Sequence, residues 1–118
     1  MGKDWQTAPP GEGPGPWPWL RLSPKQWEDL RHDAERQGVS AVALGPAGFW
    51  SAWKAAGFDP AKLSPAWIRK RDGFAARHLA QFQKRQTLRR DLALRVWAIH
   101  PAAALHTLAK LGSEKGLR

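Results

Sequence analysis

Ten prolines set the boundaries of everything this chain can build. Proline fixes φ and lacks a backbone N–H, so it is kept out of helix interiors and central strands. Five of the ten fall in residues 9–19, PPGEGPGPWPW, together with three glycines. That segment can be neither a helix nor a central strand, and an extended, polyproline-like or irregular arm is expected over residues 1–22. A flexible arm is the plainest form of it. Trp17 and Trp19 argue against complete disorder, because disordered segments are poor in aromatics. The two rings can staple the arm onto a helical body or serve a docking partner.

The other five prolines stand where helices and turns begin. Ser23-Pro24 places an N-cap before a first-position proline, and Gln26 completes a capping box, so the first helix is expected over 24–37, stopped by Gly38. Trp27, Leu30 and Ala34 form its buried stripe. Its outer face, with Glu28, Asp29, Asp33 and Glu35, is mildly acidic and is expected to be solvated or to lie beside the basic segment described below. Residues 39–44, VSAVAL, read as a helical turn or buried connection. Gly45-Pro46 opens a second helix over 46–56, with Phe49, Trp50, Trp53 and Ala56 on its core side. Asp59-Pro60 marks a turn.

Ser64-Pro65 repeats the capping device and starts the longest helical segment. Trp67, Phe74, Phe82, Leu88, Leu92, Val96 and Ile99 fall within an arc of roughly 120° at 100° per residue. Arg71, Arg85 and Arg89 share that arc. A single continuous helix would bury all three, at a high desolvation cost. A kink at Asp72-Gly73 avoids this, as does a break at 83–87; the break is favoured, with Thr87 capping a new helix. The expected elements are therefore helices over 65–83 and 88–99. His100-Pro101 ends one helix and opens a fifth, ending at Gly112, before a basic tail over 113–118. The expected fold is all-α: a compact bundle of four to five short helices in one domain, 23–112, with the Pro/Gly/Trp arm laid across it.

Function enters through charge. The chain carries +9 overall, and the 62–118 half is far more basic than the first half. Between residues 66 and 96 stand Arg69, Lys70, Arg71, Arg77, Lys84, Arg85, Arg89, Arg90 and Arg95, opposed only by Asp72 and Asp91. A basic helical face attracts a polyanion, or an acidic protein surface that imitates one. All nine are candidate phosphate contacts, since arginine adds bidentate geometry to charge. Trp67 and Trp97 are candidates for stacking on unpaired bases. The expected function is a small non-enzymatic nucleic-acid-binding protein, DNA or RNA, serving as an accessory subunit or regulator in a nucleoprotein complex or mobile element. The alternative is an adaptor or inhibitor that docks its basic, tryptophan-bearing face on an acidic partner.

Residues 30–44, LRHDAERQGVSAVAL, are similar through Ala34, Gly38-Val39-Ser40 and Leu44 to the first helix and turn of bacterial helix-turn-helix domains. Gly45-Pro46-Ala47-Gly48 then falls where a recognition helix has to continue, and it breaks that helix. No family follows from the remainder.

Other classes find little support. There are no cysteines, hence no disulfide framework and no thiol chemistry, which fits a reducing cytoplasm. His32, His78, His100 and His106 lack metal-binding spacing, and no phosphate loop or nucleophile elbow is present, so no metal, cofactor or catalytic residue is expected. No apolar run is long enough for a membrane span, and no apolar signal-peptide core is present. Eight tryptophans with no tyrosine or asparagine fit a GC-rich bacterial or phage source.

Overall fold

The computed structural model describes residues 4–116, with side chains from Trp5 to Gly112. It is mostly helical, with one two-stranded sheet that the all-α expectation did not contain. The order is α1 (Asp4–Thr7), β1 (Pro10–Gly11), β2 (Trp19–Leu20), α2 (Pro24–Arg36), α3 (Ala41–Leu44), α4 (Phe49–Ala55), a 3-10 turn (Pro60–Lys62), α5 (Pro65–Lys84), α6 (Leu88–Val96) and α7 (Pro101–Gly116).

Local chemistry sets most of the boundaries. Ser23 Oγ accepts from the Gln26 N–H at 3.2 Å and Gln26 Oε1 accepts from the Ser23 N–H at 2.8 Å, so both halves of the α2 capping box form. At the other end Gly38 adopts φ +65°, and the Val39 N–H closes on the Ala34 carbonyl at 2.9 Å. Ser64 Oγ caps α5 through the Trp67 N–H at 3.3 Å, and Thr87 Oγ1 caps α6 through the Arg90 N–H at 3.2 Å. Gly73 does not kink α5; the chain leaves the helix at Arg85, where the backbone turns extended.

Several expectations need correction. The second helix starts at Phe49 rather than Pro46. Gly48 lies so close to α3 that an added Cβ would stand 2.3 Å from the Val42 carbonyl oxygen, and this corner consumes the turn before α4. α3 has only four residues and ends at Gly45, so no recognition helix follows α2. α6 stops at Val96, because Ala98 turns left-handed at φ +58° and Ile99 bridges to Trp19. Gly112 does not stop α7: a glycine in an exposed helix position costs only about 1 kcal/mol, and the helix runs through Gly116. The tail expected over 113–118 is thus helical as far as 116, and its last two residues lie outside the described ones. Near the start, Trp5 is buried, and its indole N–H donates to Asp33 at 2.9 Å, fixing α1 against α2.

The arm is part of the body. β1 and β2 pair antiparallel with Pro10 opposite Leu20 and Gly11 opposite Trp19. β2 then joins the α6–α7 connection. The Leu20 N–H donates to the Ala98 carbonyl at 2.8 Å, and the His100 N–H donates to the Pro18 carbonyl at 3.2 Å. Trp19 is fully buried and stacks on Trp53 at 5.4 Å. Trp27 meets Trp50, Trp53 and Phe58 at 5.8, 5.6 and 5.5 Å, completing an aromatic core under α2 and α4. A second cluster joins Trp17, Ala75, Leu79, Phe82, Leu94, Ile99 and Ala104, seating α5 on α6 and α7. Trp50 and Trp53 are core, as their spacing implied.

Candidate nucleic-acid interface

The nine basic residues separate into two groups. Four are committed to the protein's own backbone. Arg71 has no exposed surface. Its guanidinium donates to the carbonyls of Trp17 (3.2 Å), Pro18 (2.9 Å), Trp97 (3.1 Å) and Ala98 (3.0 Å), and it lies 3.6 Å over the Trp19 ring. Burial lowers its pKa to about 9, partly offset by Asp72 at 3.7 Å, and it remains charged at neutral pH. Its desolvation is met by a planar fork matched to converging carbonyls, which a lysine could not supply. Arg71 therefore leaves the candidate phosphate contacts: it fastens the arm and the α6–α7 connection to α5.

Arg95 leaves them too. It is buried, donates to Asp91 at 2.6 Å and to the Trp5 carbonyl at 2.7 Å, and holds α1 in place. Arg89 and Arg90 reach across to helix ends. Arg89 donates to the Gln37 and Gly38 carbonyls at the end of α2. Arg90 donates to the Gln81 and Arg85 carbonyls, at 3.1 and 3.0 Å, at the end of α5. A cation at a helix C-terminus satisfies orphan carbonyls and complements the dipole. Both arginines tie α6 to its neighbours.

The remaining five are exposed: Arg69, Lys70, Arg77, Lys84 and Arg85. Arg69, Arg77, Lys84 and Arg85 make no ion pair or side-chain hydrogen bond among the described residues. On a helical wheel Arg69, Lys70, Arg77 and Lys84 share an arc of about 100°, and Lys70, Arg77 and Lys84 follow one another at about 10.5 Å of rise. Ala66, Gly73, Ala76 and Ala80 fill the space between them. The arc contains no acid. Asp72 turns away from it beneath Gly15, whose Cβ position lies 2.9 Å from its carboxylate. Desolvation raises the Asp72 pKa above the ordinary carboxylate value, against the pull of Arg71. The acids of α2 do not reach this face. Asp29 and Glu35 pair with Lys25 and Arg31 on α2 itself, Asp33 with Arg36, and Glu28 with Lys54. These pairs leave α5 unneutralised; α2 lies beside the basic segment through its second helix, α6, on which it chiefly packs.

Neither candidate stacking residue is a free platform. Trp97 is half-buried, with Phe49 and Phe74 stacked on it at 4.7 and 4.8 Å. Trp67 is half-buried, meets Phe49 edge-on at 6.0 Å, and carries the Lys70 ammonium 4.6 Å over its ring. The helical wheel placed Arg71 in the core arc, but nothing in the sequence indicated the distant carbonyls that receive it. The capping roles of Arg89 and Arg90 were equally hidden, since they join elements about fifty and five to nine residues apart.

Among the described residues no group of three or more histidines and carboxylates is placed to hold a metal ion. His100 uses both ring nitrogens in the fold: Nε2 donates to the Ala8 carbonyl at 3.0 Å and Nδ1 accepts from the Ala103 N–H at 3.1 Å. No described helix is long and apolar enough to cross a membrane. Comparison with protein-family models, with curated proteins and with solved structures gives no match to this chain.

Proposed function

We propose that this chain is a small, non-enzymatic, cytoplasmic nucleic-acid-binding protein that holds backbone phosphates on the exposed face of α5, as an accessory subunit or regulator of a nucleoprotein complex or mobile element. The supporting observation is the acid-free face of Arg69, Lys70, Arg77 and Lys84, with Arg85 exposed just beyond the helix end. Four of the five have no partner within the described fold, so their charge is available to a ligand. Surface cations are ordinarily interspersed with acids. A face that excludes them for about four helical turns is suited to an extended polyanion.

The adaptor alternative loses its anchors in this arrangement. It relied on exposed tryptophans as hot spots, and six of the eight are buried while the other two are packed in the aromatic core. Charge alone then remains to drive a protein contact on this face.

The test is charge reversal confined to α5. Arg77→Glu with Lys84→Glu touches no described hydrogen bond; a carboxylate at the α5 C-terminus costs about 1 kcal/mol or less, so helicity should hold and the melting temperature fall by only a few degrees. Affinity for nucleic acid at low salt should fall by at least about tenfold, since two phosphate contacts become repulsions. Unchanged affinity would remove α5 as the binding face.

A further inference from the structure

Building on that phosphate-binding role, we infer that the ligand of α5 is B-form duplex DNA, with the helix lying along the major groove and gripping its phosphate walls without reading sequence. Three observations lead there. The first is the absence of an aromatic platform. Proteins that hold single strands stack bases on exposed rings. Here Trp67 and Trp97 are engaged by Phe49, Phe74 and Lys70, and every large hydrophobic side chain exposed among the described residues is aliphatic: Val42, Leu88 and Leu111.

The second is the shape of the face. α5 is an uninterrupted twenty-residue helix, about 30 Å long. Between the cations its arc holds only Ala66, Gly73, Ala76 and Ala80, and the exposed Gln81 and Gln83 stand at its edges, so no long neutral side chain rises from its centre to hold a ligand away. A helix of about 10–12 Å diameter fits the B-DNA major groove, about 12 Å wide. The deep, narrow major groove of an RNA duplex does not admit it.

The third is what the small residues cannot do. Alanine and glycine bring no hydrogen-bonding group to base edges, whereas lysine and arginine at the margins of the arc reach phosphates at the groove walls. Grip without base readout follows, with affinity set by charge and salt.

The experiment measures fluorescence anisotropy of the full chain with a labelled DNA duplex, one of its strands alone, and an RNA duplex of the same sequence, at one low salt concentration. The expected result is binding to duplex DNA at least about tenfold tighter than to either other ligand, and equal for two unrelated duplex sequences. Ala80→Trp, an exposed change that keeps the charge, should weaken duplex binding by obstructing the groove while the melting temperature holds. Single strands or RNA duplex binding as tightly as DNA duplex would overturn the groove placement but leave phosphate binding standing. Gain of affinity for duplex in Ala80→Trp would also overturn it. No binding to any of the three would overturn phosphate binding itself.

Discussion

Replacing Arg71 with methionine tests whether one buried cation fastens the N-terminal arm to the helices. Methionine fills a similar volume and removes the cost of burying charge. Swaps of that kind are neutral or stabilising where all the charged partners can be replaced together. Here the partners are backbone carbonyls, which stay. Pro18 and Ala98 keep a second donor, the N–H groups of His100 and Leu20. Among the described residues Trp17 and Trp97 do not: Arg71 is the donor each receives. Two stranded buried acceptors cost about 1–3 kcal/mol each, and the contact of the guanidinium with Trp19 is lost as well. A net destabilisation of about 3–5 kcal/mol is expected, within the range for breaking a buried charged network. For a chain of this length it lowers the melting temperature by roughly 10–20 °C. Circular dichroism melts report it, and limited proteolysis should show new cleavage in residues 9–18 well below the melting point. Arg71→Lys should recover little, because one ammonium cannot span four carbonyls. An Arg71→Met variant melting within about 3 °C of the wild type would refute the assignment of Arg71 as the fastener.

The pH dependence should centre on His100. Burial lowers its pKa below the ordinary histidine value, and burial with nearby Arg77 does the same to His78. A lowered folded pKa means that the unfolded chain binds the proton more tightly. Stability is therefore full above about pH 6.5 and is lost as pH falls toward the lowered values. Protonation at His100 Nδ1 also removes the acceptor that caps Ala103. Melts between about pH 7.5 and 5 should show this loss, and His100→Asn, which keeps a cap acceptor, should flatten it; an unchanged slope would refute the assignment. Arg89→Ala should destabilise by about 0.5–1 kcal/mol by returning the exposed α2 carbonyls to water, measured by urea denaturation, while duplex affinity changes far less than in Arg77→Glu/Lys84→Glu.

Helix starts were legible because capping is local. Ser23, Ser64 and Thr87 each present an oxygen to an N–H three residues on, and the following prolines or helix formers agree with them. The break after Lys84 was legible for a related reason: the wheel showed that continuing the helix would bury Arg85 and Arg89. The same logic misjudged Arg71, which is buried because carbonyls from residues far off in sequence converge on it. Counting charges could not separate ligands from bolts, since the acceptors that commit Arg89 and Arg95 lie 51 and 90 residues away. α1 escaped notice because a single buried ring, Trp5, carries it. The sheet escaped because prolines confine it to two residues per strand, too few for alternation to show.

The most direct measurement is the salt dependence of affinity for labelled duplex DNA, wild type beside Arg77→Glu/Lys84→Glu. Four cations on one face give a slope of log affinity against log salt of about −4, shallower by about 2 in the double variant. A slope near zero, or one identical in the two proteins, would contradict phosphate binding by α5.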